Sequence, residues 1–271
     1  MGLTTGKTPN NHIKMPHTDT LGDILKEQEQ KEAGRTANPF RPLMCRIDGR
    51  AFSSFTHGLQ KPFDERFVNL MVATTRHLVT ESEALLGYCQ SDEITLYWHL
   101  DKRNYSNRDF LFRGKYQKLT SILASMASSF FTGNLPKYLP EKSGQYPVFD
   151  CRVWNVPNLE YVYKNFLWRL NDATKNSVSM YAQSLFSHKS LQGVTCEEMK
   201  TLLKQIGKPW EELPRAFTHG TYIKRQRVLV GPESLDMSDI PFQYRPTKPI
   251  IRAIVKEWVP EGRIQLGDFV A

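Results

Sequence analysis

Apolar positions along the chain fall into short continuous runs separated by longer stretches of helical periodicity. The first run, residues 43–48, predicts a strand that ends in Asp48-Gly49. A polar loop from Ser53 to Gly58 follows. Phe67, Leu70, Met71, Leu78 and Val79 then share one face of a helix predicted from about Asp64, which can cap it, to Glu83. Two more apolar runs flank Ser91-Asp92-Glu93 and predict a hairpin, its second strand reading Ile94-Thr95-Leu96-Tyr97-Trp98. A basic loop from Asp101 to Lys115 leads into a helix whose expected buried stripe is Tyr116, Leu119, Ile122, Leu123, Met126 and Phe130. Residues 146–154 give the last strand. The order β-α-β-β-α-β is the split unit of ferredoxin-like folds, an α/β (α+β) class with an antiparallel sheet.

Flanking segments complete the organisation. Residues 1–19 are polar and read as a mobile N-terminus. Within them Gly2-Leu3-Thr4-Thr5-Gly6-Lys7-Thr8 approximates a phosphate-binding loop, but it is one residue short and follows no strand. A short charged helix begins at Thr20 and ends near Gly34. Residues 20–157 form the expected core with this leading helix, and 158–271 a helical and β-hairpin extension. In the extension, Asn158 to Phe186 reads as helix, with Tyr161, Phe166, Leu167 and Leu170 available for burial. Thr195 and Glu198 make a capping box for the next helix. Residues 220–227 read as a basic strand that 250–255 can pair with across a Pro-rich connection.

Composition narrows the function classes. With 40% hydrophobic and 24% charged residues, the 271-residue chain fits a soluble globular protein. No apolar run is long enough to span a membrane, so no membrane partner is expected, and a cytoplasmic location is. Cys45, Cys89, Cys151 and Cys196 are scattered without a paired spacing, which suits a reducing compartment. The net charge of +8 favours a polyanionic partner. Lys224, Arg225 and Arg227, near Tyr222, are candidates for gripping an RNA backbone, with a solvated strand face as the equal alternative.

The chemistry concentrates at two strand ends. Two carboxylates delivered by neighbouring strands, Asp48 and Asp92, are what a pair of hard divalent cations needs, and the Gly49 carbonyl can add a third oxygen. The topology places the first strand beside, or close to, the strand after the first helix, which would bring Asp48 and Asp92 together. Successive strand residues face opposite ways, so Asp92 is the expected ligand and Glu93 its support. The residues alone leave open a structural role for these acids, a solvated Lys61, and an Asp64 that is only a helix cap.

The order and spacing of Arg46-Ile47-Asp48-Gly49-Arg50-Ala51-Phe52, Lys61-Pro62-Phe63-Asp64 and Ser91-Asp92-Glu93 resemble tRNA-His guanylyltransferase and the related 3′–5′ polymerases. Phe149-Asp150-Cys151-Arg152 is similar to that family's Phe-Asp-Gly-Arg. The resemblance runs from about Leu21 to about Lys224 and implies a polymerase-like palm. It implies Asp48, Gly49 and Asp92 as ligands of two Mg2+ ions, with Glu93 among the catalytic acids. ATP, GTP and other NTPs are the implied substrates. Arg50, Ala51, Phe52, Ser53, Lys61, Asp64 and Ser91 would meet a nucleotide, Arg46 and Arg152 a second triphosphate region, and Asn176 also belongs to the nucleotide set. The implied partner is tRNA and the implied assembly a homotetramer.

The resemblance also marks a departure. Where eukaryotic members carry His-x-Asn-Asn after a Trp-Arg pair, this chain has Trp168-Arg169 followed by Thr174-Lys175-Asn176-Ser177, and Ser53 stands in place of another histidine. The pattern is similar to the bacterial, archaeal and phage-type branch, associated with template-dependent repair of 5′-truncated tRNA. The implied activity is 3′–5′ nucleotide addition after activation of the 5′ end by ATP. The alternatives are a palm-fold nucleotide cyclase, or an RNA-binding module whose acids are structural.

Overall fold

The computed structural model describes residues 20–100, 109–231, 243, 250–258, 264, 265 and 267. The expectations for residues 1–19, for most of the basic loop and for most of the Pro-rich connection lie outside these residues.

In chain order the elements are α1 (Thr20–Ala33), β1 (Leu43–Gly49), α2 (Phe52–Phe55), α3 (Glu65–Glu81), β2 (Leu86–Gln90), β3 (Glu93–Trp98), α4 (Tyr116–Tyr138), β4 (Phe149–Asn155), α5 (Leu159–Leu185), α6 (Cys196–Gln205), α7 (Arg215–His219), β5 (Thr221–Val230) and β6 (Ile250–Trp258). The chain divides into two compact units, Met1–Arg35 and Thr36–Ala271. In the first, α1 carries exposed Leu21, Ile24 and Leu25.

The second unit is built on a six-stranded sheet in the order β4-β1-β3-β2-β5-β6, with every described pairing antiparallel. The split β-α-β-β-α-β unit is therefore present. The neighbours of β1 are β4 and β3, however, with β2 beyond β3. The basic strand β5 also joins this sheet through β2 before pairing with β6.

Alternation along β1 sends Cys45 and Ile47 to one face and Met44, Arg46 and Asp48 to the other. On the first face α3 and α4 bury Leu70, Met71, Leu78, Leu123 and Phe131 against Ile94 and Leu96. On the second, Phe166 and Leu170 of α5 pack on Met44, Tyr88, Tyr97 and Tyr222. The five apolar residues predicted for α3 are all buried, and Asp64 caps the helix. The predicted stripe of α4 needs correction. Its buried line is Leu119, Leu123, Ala127, Phe131 and Leu135. Ile122 is exposed and Phe130 instead stacks on His77 at 4.3 Å. On α5 the expected core residues Phe166 and Leu170 are buried, whereas Tyr161 is exposed. The Thr195–Glu198 capping box forms as expected.

Gly220, at φ 71°, lets the α7–β5 junction press against β2, since a Cβ there would stand 2.6 Å from the Cys89 carbonyl oxygen. Tyr88 donates to the His219 carbonyl at 3.0 Å across the same contact. Among the described residues, no helix is long and apolar enough to cross a membrane.

Candidate functional site

The ends of three adjacent strands and one tight turn bring acidic groups together. Asp150 of β4, Asp48 of β1 and Glu93 of β3 stand in one row across the sheet, on the face that α5 partly covers. The outer two have arginine partners. Glu93 is ion-paired with Arg169 of α5, and its other oxygen lies 3.8 Å from Arg46 Nε. Asp150 lies 3.7 Å from Arg152 Nε in a more exposed pair. Among the described residues, Asp48 has no salt bridge, and neither does Asp92. Arg169 also reaches Asp172 at 3.2 Å, and Asn176 donates to the same carboxylate oxygen at 3.4 Å.

Asp92 enters from the two-residue turn between β2 and β3. Ser91 there is left-handed at φ 53°, and its hydroxyl donates to Asp92 Oδ1 at 3.1 Å. The Gly49 amide donates to the Asp92 carbonyl at 3.1 Å, tying the two acid-bearing turns together. Burial raises the Asp92 pKa above the ordinary carboxylate value, its own backbone amide opposes this, and the nearby Asp48 charge adds to the rise. Burial also raises Glu93, against the opposing pull of Arg169 and Arg46. Adjacent like charges without a cation are unfavourable in a partly buried setting.

The turn after Asp48 has its own constraint. A Cβ on Gly49 would lie 2.6 Å from Cγ of Phe52, whose ring is packed among Phe55, Phe67, Phe131 and Phe149. The Phe52 side chain is therefore a core residue, and only its backbone can meet a ligand. Ala51 takes a left-handed conformation, φ 57° and ψ 34°, to start α2. Such a conformation costs a residue with a Cβ roughly 1–3 kcal/mol. Two residues of this kind, Ala51 and Ser91, adjoin the acids. Arg50, Ala51 and Ser53 are exposed around the turn. The N–H groups at the start of α2 precede any intrahelical acceptor.

Beside Ser91 lies a cavity of about 170 Å³, lined in part by Gln60, Lys61, Asp64, Cys89 and Phe217. Phe63, also in its wall, stacks on Phe217 of α7 at 4.2 Å and 18°. Lys61 is exposed at this wall. Asp64 is buried and fully engaged. It accepts from the Gln60 and Arg66 amides at 3.2 and 3.0 Å and from the Arg66 guanidinium at 3.0 and 2.8 Å. The Arg66 hydrogen bond holds its carboxyl below the usual range, against the effect of burial.

The remaining sequence candidates are dispersed. Asn176 is on an exposed edge of α5, and its neighbour Ser177 is buried, accepting from Trp210 Nε1 at 3.1 Å. Lys224 and Arg225 are consecutive in β5 and leave opposite faces of the sheet. Arg225 pairs with Glu83 at 3.3 Å, and the Arg227 side chain lies outside the described residues. Sequence reasoning missed the structural roles of Arg169, Asp150 and Phe217. Arg169 alone had a signal, its place three residues before Asp172 on a helix.

The arrangement can take a divalent cation. Among the described residues, no group of three or more His, Cys, Asp or Glu converges on a metal position. The donor set that fits is sparser: two unneutralised carboxylates and a main-chain carbonyl. All are hard oxygen donors, as magnesium prefers when waters and phosphates complete its shell.

The sequence profile described as tRNAHis guanylyltransferase matches residues 23–157. The tRNA(His) guanylyltransferase of Schizosaccharomyces pombe is 32% identical over 139 residues, 50% of this chain and 51% of that protein. A solved bacterial tRNA(His) guanylyltransferase-like protein in complex with ATP superimposes with a TM-score of 0.69 at 31% identity, covering 76% of this chain and 87% of that one. A bacterial guanylyltransferase-like protein in complex with GTP gives a TM-score of 0.67 at 25% identity, covering 88% and 91%.

Proposed function

The chain belongs to the tRNAHis guanylyltransferase family of nucleotidyltransferases, and from that membership we propose that it extends the 5′ end of tRNA in the 3′–5′ direction, copying the opposing strand. The observation that carries this reading is the pair Asp48 and Asp92, which among the described residues has no salt bridge, set beside acids that arginines already approach. Family membership sets aside the reading of a purely structural, RNA-binding role.

In this reading the 3′-hydroxyl of an incoming NTP attacks the α-phosphorus at the 5′ end of the RNA. The new O–P bond forms as the bond to the leaving group breaks. A 5′-triphosphate end loses pyrophosphate directly. A 5′-monophosphate end lacks a leaving group, so ATP first adenylylates it with release of pyrophosphate, and the attack then expels AMP.

Asp48, Asp92 and the Gly49 carbonyl would hold a pair of magnesium ions. Bound there, these would activate the attacking oxygen and offset the charge of the leaving group. Glu93, held by Arg169 and Arg46, stiffens the β3 side of the site. The backbone N–H groups of Ala51 to Ser53, the Ser53 hydroxyl and the Arg50 and Lys61 side chains offer donors to a triphosphate beside Ser91. The cavity beside them receives the base, and Asp64 shapes its wall by fixing the start of α3. Arg46 and Arg152, opposite each other on β1 and β4, offer charge to a second triphosphate or to the RNA end.

The altered residues after Trp168-Arg169 support the template-copying branch, because a base chosen by pairing needs no protein side chain that reads its identity. Incubation with labelled NTPs, magnesium and tRNA tests the reaction class. Label retained at the RNA 5′ end supports it, and label recovered as a cyclic mononucleotide would instead indicate a cyclase.

A further inference from the structure

We propose that Trp168 is a stacking platform for a nucleobase, placed beside the acidic pair on the α5 side of the sheet. The inference rests on the reading that nucleotides and RNA are the substrates, and it assigns one contact that reading leaves open.

Trp168 keeps 54% of its surface exposed although it sits on the helix that covers the sheet. The guanidinium carbons of Arg46 and Arg169 lie 5.9 and 4.7 Å from its ring. Both arginines also approach Glu93, so the indole is tied to the acidic row through two charged groups. Core packing does not account for its position, since the buried line of α5 runs through Val162, Phe166, Leu170 and Ala173.

An indole left more than half in water forgoes apolar burial worth roughly 25 cal/mol per Å². Its surroundings do not suit an apolar protein partner. Helical spacing puts Asp172, Lys175 and Asn176 on the same edge as Trp168, at i+4, i+7 and i+8. A ligand that covers this ring must be flat, with polar edges and an anionic tail. A nucleobase meets all three demands: a π-face for the indole, edges for Asp172 and Asn176, and a phosphate for the guanidiniums. Arg46 is two residues from Asp48 on the same face of β1, so a base on Trp168 brings its phosphate towards the acids. The base can belong to the 5′-terminal nucleotide of the RNA or to a free nucleotide, and the chemistry of recognition is the same.

The test uses 2-aminopurine, whose fluorescence falls on stacking. One arm is an RNA hairpin carrying it as the 5′-terminal residue, and the other is 2-aminopurine riboside triphosphate. Each is titrated with the wild-type protein and with Trp168→Ala, Trp168→Phe and Trp168→Leu. Quenching in either arm identifies the source of the base. In that arm Trp168→Ala should weaken binding about 5- to 100-fold. Trp168→Phe should retain most of the affinity, and Trp168→Leu should behave like Trp168→Ala. Equal quenching and affinity for wild type and Trp168→Ala in both arms would overturn the platform, as would full recovery in Trp168→Leu. Binding is read without turnover, so failure of nucleotide addition to tRNA and failure of the platform are separate results.

Discussion

Asp48 stands directly opposite Glu93 in the β1–β3 ladder, yet the two carboxylates occupy opposite electrostatic settings. Glu93 is enclosed by Arg169 and Arg46, whereas the charged group that bears on Asp92 from β1 is the like-charged Asp48. One acid has arginine partners within the fold, and among the described residues the other two have no salt bridge. In the proposed reading Glu93 therefore supports, and Asp48 with Asp92 would ligate.

Asp48→Ala and Asp92→Ala should each lower nucleotide transfer about 100-fold or more, the scale of losing a principal electrostatic stabiliser. Neither should reduce the thermal midpoint, because each removes one member of a repelling pair. Initial rates and a melting curve on the same preparation check both halves. A folded Asp48→Ala variant with near wild-type rates would remove the metal assignment.

Gly49→Ala should be costly in a way that the exposed neighbour Ser53→Ala is not. The added methyl meets the Phe52 ring, which is locked among four other phenylalanines. Overpacking of this kind costs about 1–3 kcal/mol and displaces the turn that carries Asp48. Denaturant unfolding should show the loss, and transfer activity should fall with it.

Asp64 gives a pH signature. Its pKa is depressed in the folded protein, chiefly by Arg66, so the stability it contributes is present above the unfolded carboxylate value of about 3.9. That stability is lost as pH falls through the lower folded value. Asp64→Ala should therefore lose roughly 1–2 kcal/mol at neutral pH, from the cap and its guanidinium bonds. The gap to wild type should close as the pH is lowered below about 4. A gap that stays constant down to pH 2 would show that the carboxylate charge is not what stabilises the cap.

Much of this was legible in the sequence where the signal is local. Asp64 before an amphipathic helix, and Ser91-Asp92 between apolar runs, are short-range patterns, and both elements form as read. The α4 stripe was misread because apolar residues occur on several of its faces, so Ile122 and Phe130 fitted the period as well as Ala127 and Phe131. The pairing of β5 with β6 was legible, but the place of β5 in the sheet was not. Leu86 aligns with Lys224 across the β2–β5 ladder, and no local feature of either strand states this. The same holds for Arg169 meeting Glu93, and for Lys224 and Arg225 being separated by the sheet. The motif around Phe52 could not say that its ring belongs to the core.

Ser177 carries a prediction about the altered segment. Its hydroxyl is buried between Trp210 and the carbonyls of Thr174 and Thr218. Ser177→Ala should leave the Trp210 N–H without an acceptor and cost about 1–3 kcal/mol. The choice of added base should not change. A stability loss with unchanged product identity would place this position in the support of α5.

The most direct test of the central claim uses a tRNA lacking its first nucleotide, with the opposing acceptor-stem residue varied through all four bases. The protein, magnesium, ATP and the four NTPs are supplied, and the 5′ end of the product is sequenced. The added base should be the complement of the opposing residue each time, with ATP required for a 5′-monophosphate end and dispensable for a 5′-triphosphate end. Addition of guanosine to full-length tRNA-His whatever base lies opposite, with the shortened tRNAs left unextended, would contradict template copying.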